Sequence, residues 1–224
     1  MSLIPHEFIE DGHIYKVPNR YVLGCSDIIS LNGLSDHGAI PKATLDRAAD
    51  RGSRFDEIVQ AFEEGNELGS ATDEVWACFE GYTNFRAKHK VSVAGDIQKS
   101  LVWEHHGTEA LIACTPDLPL YIDGELWNVD TKTTYPLSGK ARDMKYLAWR
   151  IQLQLQVEGF AEDEEFWKYI DGPAAMKKAI LHCHPKLKGG FALIPFEGDD
   201  SHLADAAVRM AVAKLSAGFQ IDRR

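Results

Sequence analysis

Residues 115–134 read Thr115-Pro116-Asp117-Leu118-Pro119-Leu120-Tyr121-Ile122-Asp123-Gly124-Glu125-Leu126-Trp127-Asn128-Val129-Asp130-Thr131-Lys132-Thr133-Thr134. The Asp123-Gly124 pair sits between two apolar runs and favours the positive φ angles of a two-residue hairpin turn. Residues 118–122 and 126–133 are therefore expected to fold back on each other as antiparallel strands. Side chains alternate faces along a strand, so Asp130 and Lys132 share one face. The antiparallel arm carries Asp117 near its far end, which brings that acid alongside Asp130. One short hairpin thus gathers two carboxylates and an ammonium.

Working outward, residues 141–161 place Met144, Leu147, Ala148, Ile151 and Leu155 at spacings of three and four, the signature of a helix packed along that stripe. Residues 178–184 and 191–196 read as strands around Lys188-Gly189-Gly190, and residues 201–215 as an amphipathic helix with Leu203, Ala207, Met210 and Leu215 inward. Upstream, residues 100–104 and 110–115 have strand character. Residues 73–90 align Val75, Trp76, Phe79, Tyr82 and Phe85 on one helical stripe. Residues 41–50 and 53–64 read as two further helices, and residues 13–17 and 21–23 as a small hairpin across Pro18-Asn19. The expected class is α/β (α+β), a central mixed β-sheet flanked by helices. Residues 1–224 show neither an internal repeat nor a low-complexity linker, so a single domain is expected.

Bulk properties narrow the field. The chain is 45% hydrophobic and 26% charged, a composition that supports a buried core. It holds no run of about 20 apolar residues of the kind a membrane helix requires, and a cytoplasmic location is expected. Cys25, Cys78, Cys114 and Cys183 are scattered and form no Cys-x-x-Cys pair, so reduced, packed thiols are expected in place of zinc or disulfides. His182-Cys183-His184 alternates across a strand and reads as structural. The net charge of −10 opposes a nucleic-acid partner, but the distribution does not. Lys140, Arg142, Lys145 and Arg150 face only Asp143, a stretch that reads either as a solvated helix face or as a phosphate-tracking surface.

The gathered Asp117, Asp130 and Lys132 suit phosphodiester hydrolysis. That reaction needs an activated water, neutralisation of charge on the phosphorus centre and help for the leaving oxygen. Magnesium serves these needs and is held weakly, through one or two carboxylates plus substrate oxygens. The lysine can orient or deprotonate the water, or place positive charge on the scissile phosphate.

Thr115-Pro116-Asp117, then Asp130-Thr131-Lys132-Thr133-Thr134, then Trp149-Arg150-Ile151-Gln152-Leu153 stand in an order that resembles the RecB-like and phage-exonuclease branch of the PD-(D/E)XK nuclease superfamily. Arg51-Gly52-Ser53-Arg54-Phe55-Asp56 is similar to its Arg-Gly-Thr-x-Val-His element. Residues 15–29 resemble its opening hairpin and helix start, and residues 179–196 its late strand pair. The resemblance implies a restriction-endonuclease-like core. It also implies Mg2+ or Mn2+ held by Asp117, Asp130 and the Thr131 carbonyl, with Lys132 as catalytic lysine. Gln152 would support the site by contacting Lys132 or DNA. Glu104 matches a glutamate near the metal in relatives, against the alternative of a surface strand residue. Asp56 replaces a metal-binding histidine and either ligates as an oxygen donor or solvates its helix. Gln156 stands where relatives carry tyrosine; it shares a helix face with Gln152 and Trp149, and all of these are candidate DNA contacts beside Lys140, Arg142, Lys145 and Arg150. The family's optional iron–sulfur cluster is not expected, since only Cys183 lies in the last third.

By this resemblance the expected activity is a DNA exonuclease acting on ends in phage-type recombination or repair, beside a single-strand annealing protein or recombinase. An endonuclease of the same fold and an inactive DNA-binding scaffold are the alternatives. Relatives of similar size form rings, which leaves a homo-oligomer open.

Overall fold

The structure, a computed structural model, describes residues 2–9, 14–35, 40–134, 139–168, 170 and 176–221, with the side chains of 139–142 outside that description. The elements run β1 (Glu7–Ile9), β2 (Ile14–Lys16), β3 (Val22–Gly24), α1 (Cys25–Leu31), α2 (Lys42–Glu63), α3 (Asp73–Lys88), β4 (Val91–Val93), β5 (Leu101–Glu104), β6 (Leu111–Cys114), β7 (Leu118–Ile122) and β8 (Glu125–Lys132). Then follow α4 (Gly139–Ala161), α5 (Glu164–Trp167), β9 (Lys177–Cys183), β10 (Phe191–Phe196) and α6 (Ser201–Ser216). No described helix is long and apolar enough to cross a membrane.

The chain is α/β, with mixed sheets flanked by helices. A five-stranded sheet has the order β10-β9-β8-β7-β4, in which β8 and β9 are parallel and the other neighbours antiparallel. The described strands divide among three sheets, the third being the β1-β2 pair. β5 and β6 leave the main sheet and join β3 in a three-stranded one, order β3-β6-β5. The hairpin between β7 and β8 closes as the sequence predicts: Asp123 and Gly124 take φ of 52° and 90°, and Ile122 pairs with Glu125. From Glu125 to Val129, β8 is paired with β7. From Asp130 to Lys132 it keeps β9 but has run past its other neighbour.

Both faces of β8 are covered. On one, Phe55, Ile58 and Val59 of α2 and Tyr82 and Phe85 of α3 pack with Leu118, Leu120, Val129 and Leu181. On the other, Trp149 and Leu153 of α4 pack on Ile180. The opposite side of α4 meets the smaller sheet, where Ile151, Leu155 and Phe160 join Leu101, Trp103, Ile112 and Cys114. A helix held between two sheets is apolar around most of its girth, which the single-stripe reading missed. Ala148, Ile151 and Leu155 are inward as expected, but Leu147 is 36% exposed while Leu153 is fully buried.

Two local expectations are corrected. Residues 41–50 and 53–64 form one continuous helix, α2, because packing of its Phe55 face carries the chain through Gly52. β2 pairs with β1, and only a single bridge, Val17 to Arg20, spans Pro18-Asn19, since β3 is taken by β6. The part of that reading at His13 lies outside the described residues.

Gly81 marks a close approach between α3 and the β9–β10 turn: a Cβ there would sit 2.6 Å from the Gly190 carbonyl oxygen. Gly81→Ala would gain about 1 kcal/mol in helix propensity, but overpacking against backbone costs about 1–3 kcal/mol. A net destabilisation of about 1 kcal/mol is expected in urea unfolding, and a stabilised variant would contradict this packing.

Candidate active site

Where β8 runs past β7, the Thr131 amide has no strand partner on that side, and Asp117 fills the place. Thr131 N donates to Asp117 Oδ2 at 2.7 Å. The Thr131 hydroxyl lies 2.7 Å from Asp56 Oδ1 and 3.1 Å from Asp117 Oδ2. A hydroxyl has one proton to give, so it donates to one of these two acids at a time, while Asp117 keeps the Thr131 amide throughout. Asp56 reaches this point from the middle of α2, whose buried face turns it onto the sheet.

Asp130 lies on the opposite face of β8, toward α4. Its Oδ1 accepts from Gln152 Nε2 at 2.7 Å and from Gln156 Nε2 at 3.3 Å. Its Oδ2 is buried and forms an ion pair with the Lys132 ammonium, with no other partner among the described residues.

Three acids and one ammonium this close together perturb one another. Burial pushes Asp56 up to about 6, with the Thr131 hydroxyl and Lys132 opposing and Asp130 adding to the rise. Burial and then the charges of Asp130 and Asp56 hold Asp117 well above the usual carboxylate range. Burial draws Lys132 down, but Asp130 and Asp117 outweigh it and leave the ammonium more firmly protonated than in water. The centre therefore holds acids that resist ionising together beside a single cation.

This donor set fits a hard divalent ion: carboxylate oxygens, one of them buried against a lone ammonium, beside acids that repel one another. Among the described residues, no three His, Cys, Asp or Glu side chains are already gathered as a metal-binding group. Asp130 Oδ2 is turned to Lys132 and Asp117 Oδ2 to Thr131, so ligation requires these acids to exchange partners.

Other candidates fall elsewhere. Glu104 is at the wrong end of β5: the antiparallel register sets Leu101, not Glu104, beside Cys114, and Glu104 pairs with Arg20 at 2.8 Å on the surface. Trp149 is core, packed with Tyr146 and Phe196. Gln156 is 2% exposed and serves Asp130, so it offers no surface to DNA. Arg150 Nε donates to Asp200 Oδ1 at 3.1 Å. Lys145 is half-buried, and burial together with the Lys132 charge lowers its pKa. The side chains of Lys140 and Arg142 lie outside the described residues. His182 Nε2 abuts the Thr134 carbonyl while Cys183 is buried, and all four cysteines are free.

The sequence reading assigned no role to Asn128, fully buried two residues before Asp130, nor to Arg51 within its Arg-Gly-Ser element, although its Nε donates to the Thr133 carbonyl at 3.1 Å. A polar residue inside the apolar run of residues 126–129, in phase with Asp130, was the available signal.

No protein-family model matches the chain, and no curated protein does. Solved structures do: one described as "Crystal structure of SSO0001" aligns over 88% of this chain and 79% of that chain, at 12% identity and a TM-score of 0.41.

Proposed function

We propose that the chain is a divalent-metal-dependent deoxyribonuclease that degrades DNA from its ends. The observation that carries this reading is the convergence of Asp56, Asp117 and Asp130 with a protonated Lys132 at the end of β8, where the buried Oδ2 of Asp130 is held by the Lys132 ammonium. Asp117 and Asp130, with Asp56 and the Thr131 carbonyl, would hold Mg2+ or Mn2+, which supplies charge neutralisation at a phosphate and acidifies a bound water.

The chain's own groups have separate tasks. Lys132, kept charged by its neighbours, is suited to placing positive charge on a phosphate oxygen; as an ammonium it has no lone pair with which to take a proton. Gln152 holds the Asp130 carboxylate from α4. Thr131 fixes both Asp117 and Asp56 through one amide and one hydroxyl. Lys145, electrostatically coupled to Lys132, is the described basic residue best placed to meet an incoming backbone, with Lys140 and Arg142 in the first turn of the same helix.

The test is degradation of end-labelled linear duplex and single-stranded DNA with Mg2+ or Mn2+, alongside covalently closed circles and a chelator control. Shortening of linear DNA, intact circles and loss of cleavage with chelator are expected. Efficient cutting of closed circles replaces the exonuclease by an endonuclease, and no cleavage of any DNA removes the proposal.

A further inference from the structure

Behind Asp130 runs a chain of buried amides. Asn128 shares the Asp130 face of β8 and donates from Nδ2 to Gln156 Oε1 at 2.8 Å and to the Leu153 carbonyl at 3.4 Å. A carbonyl only accepts, so Leu153 fixes which way the Asn128 amide points. With Gln156 Oε1 committed to Asn128, Gln156 Nε2 must face Asp130 Oδ1, where it lies at 3.3 Å. Gln152 Nε2, one turn earlier on α4, meets the same oxygen at 2.7 Å. Oδ1 therefore takes two amide donors and Oδ2 takes none. Reversing the Gln156 amide would set its oxygen against a carboxylate oxygen in a buried site, two acceptors with no proton between them.

The same chain leaves Asn128 Oδ1 buried without a partner. A position serving only the core would be better filled by an apolar side chain, since an unsatisfied buried acceptor is destabilising. Asn128 is retained against that penalty, with its amide directed at Gln156.

We infer that Asn128 and Gln156 are positioning residues that orient Asp130, saturating Oδ1 so that Oδ2 alone is presented to a cation, Lys132 in the metal-free chain and Mg2+ or Mn2+ in the active one. This inference rests on the metal-dependent reading above. Residues that orient a metal ligand alter metal affinity by about 10- to 100-fold when removed.

The experiment is calorimetric titration of the full chain with Mn2+, paired with a thermal midpoint for each variant. Gln156→Met is expected to weaken Mn2+ binding about 10-fold or more. Asn128→Leu is expected to weaken it by a smaller factor while holding or raising the midpoint, and it keeps the test readable if Gln156→Met does not fold. Because Asn128 acts through Gln156, the double variant should bind no more weakly than Gln156→Met alone. Asp130→Asn separates the two levels. If wild type binds Mn2+ and Asp130→Asn does not, while Asn128→Leu and Gln156→Met bind like wild type, the relay is overturned and the metal reading stands. Losses that simply multiply in the double variant also overturn the relay. A wild-type chain that binds no Mn2+ overturns both.

Discussion

Lys132→Met is expected to reduce metal-dependent DNA cleavage by about 10^2- to 10^4-fold, the range in which a single positioned charged or proton-transferring group contributes. The same substitution leaves Asp130 Oδ2 buried without its cation. Breaking a buried pair from one side typically destabilises by about 3–5 kcal/mol. Added Mn2+ should recover part of that stability, because a divalent ion can stand where the ammonium stood. Asp117→Asn should behave oppositely in the metal-free protein. Burial and the charges of Asp130 and Asp56 raise its pKa, so ionising it is less favourable than in water. Its folded pKa is raised, so its stabilising contribution is present at low pH and lost as pH rises through that raised value. At alkaline pH the neutral amide should therefore melt higher than wild type while cleavage is lost. Single-turnover cleavage together with melting curves, with and without Mn2+, checks both variants; either one turning over like wild type would remove Lys132 and Asp117 from the mechanism.

Asp200→Ala is expected to lower the melting midpoint by on the order of 10 °C. Asp200 is 0% exposed at the N-terminal cap of α6, yet its side chain turns away from the helix. Oδ2 accepts from the buried Lys178 ammonium at 2.9 Å, and Oδ1 from Arg150. Lys178 also donates to Gln154 at 2.8 Å, so the cluster ties β9, α4 and α6 together. Removing the carboxylate strands Lys178 at a penalty of about 3–5 kcal/mol, and a chain of this size loses about 2–4 °C per kcal/mol. Replacing both partners, as Lys178→Met with Asp200→Leu, should recover most of the loss, since well-packed apolar residues replace buried pairs at little penalty. A midpoint shift below about 2 °C in Asp200→Ala would mean that water reaches this cluster.

What could be read from the chain alone was what local geometry dictates. Asp123-Gly124 admits essentially one hairpin, so the meeting of Asp117 with the end of β8 followed from the sequence. Glu104 was misplaced because its distance from that end depends on the β5–β6 register, a pairing across strands that the local pattern of residues 100–104 does not encode. Trp149 and Gln156 read as DNA contacts because they share a helix face with Gln152. α4 has a second sheet against it, and that contact lies in the tertiary arrangement. Arg150 was read as a free cation because its partner, Asp200, is fifty positions away. Asp56 came out near the centre because α2 runs unbroken through Gly52 and carries it there.

The mismatch in length between β8 and β7 has a colloidal consequence. A central strand that outlasts its neighbour opens a notch in the sheet, with an amide exposed to pairing by any extended segment of another molecule. Here the notch is plugged by a side chain: the Thr131 N–H is already spent on Asp117, and a second acid, Asp56, stands over the same residue. A foreign strand entering the gap would have to displace a carboxylate and lie against another. The acids at the end of β8 thus leave no free Thr131 amide for a strand of another molecule to pair with.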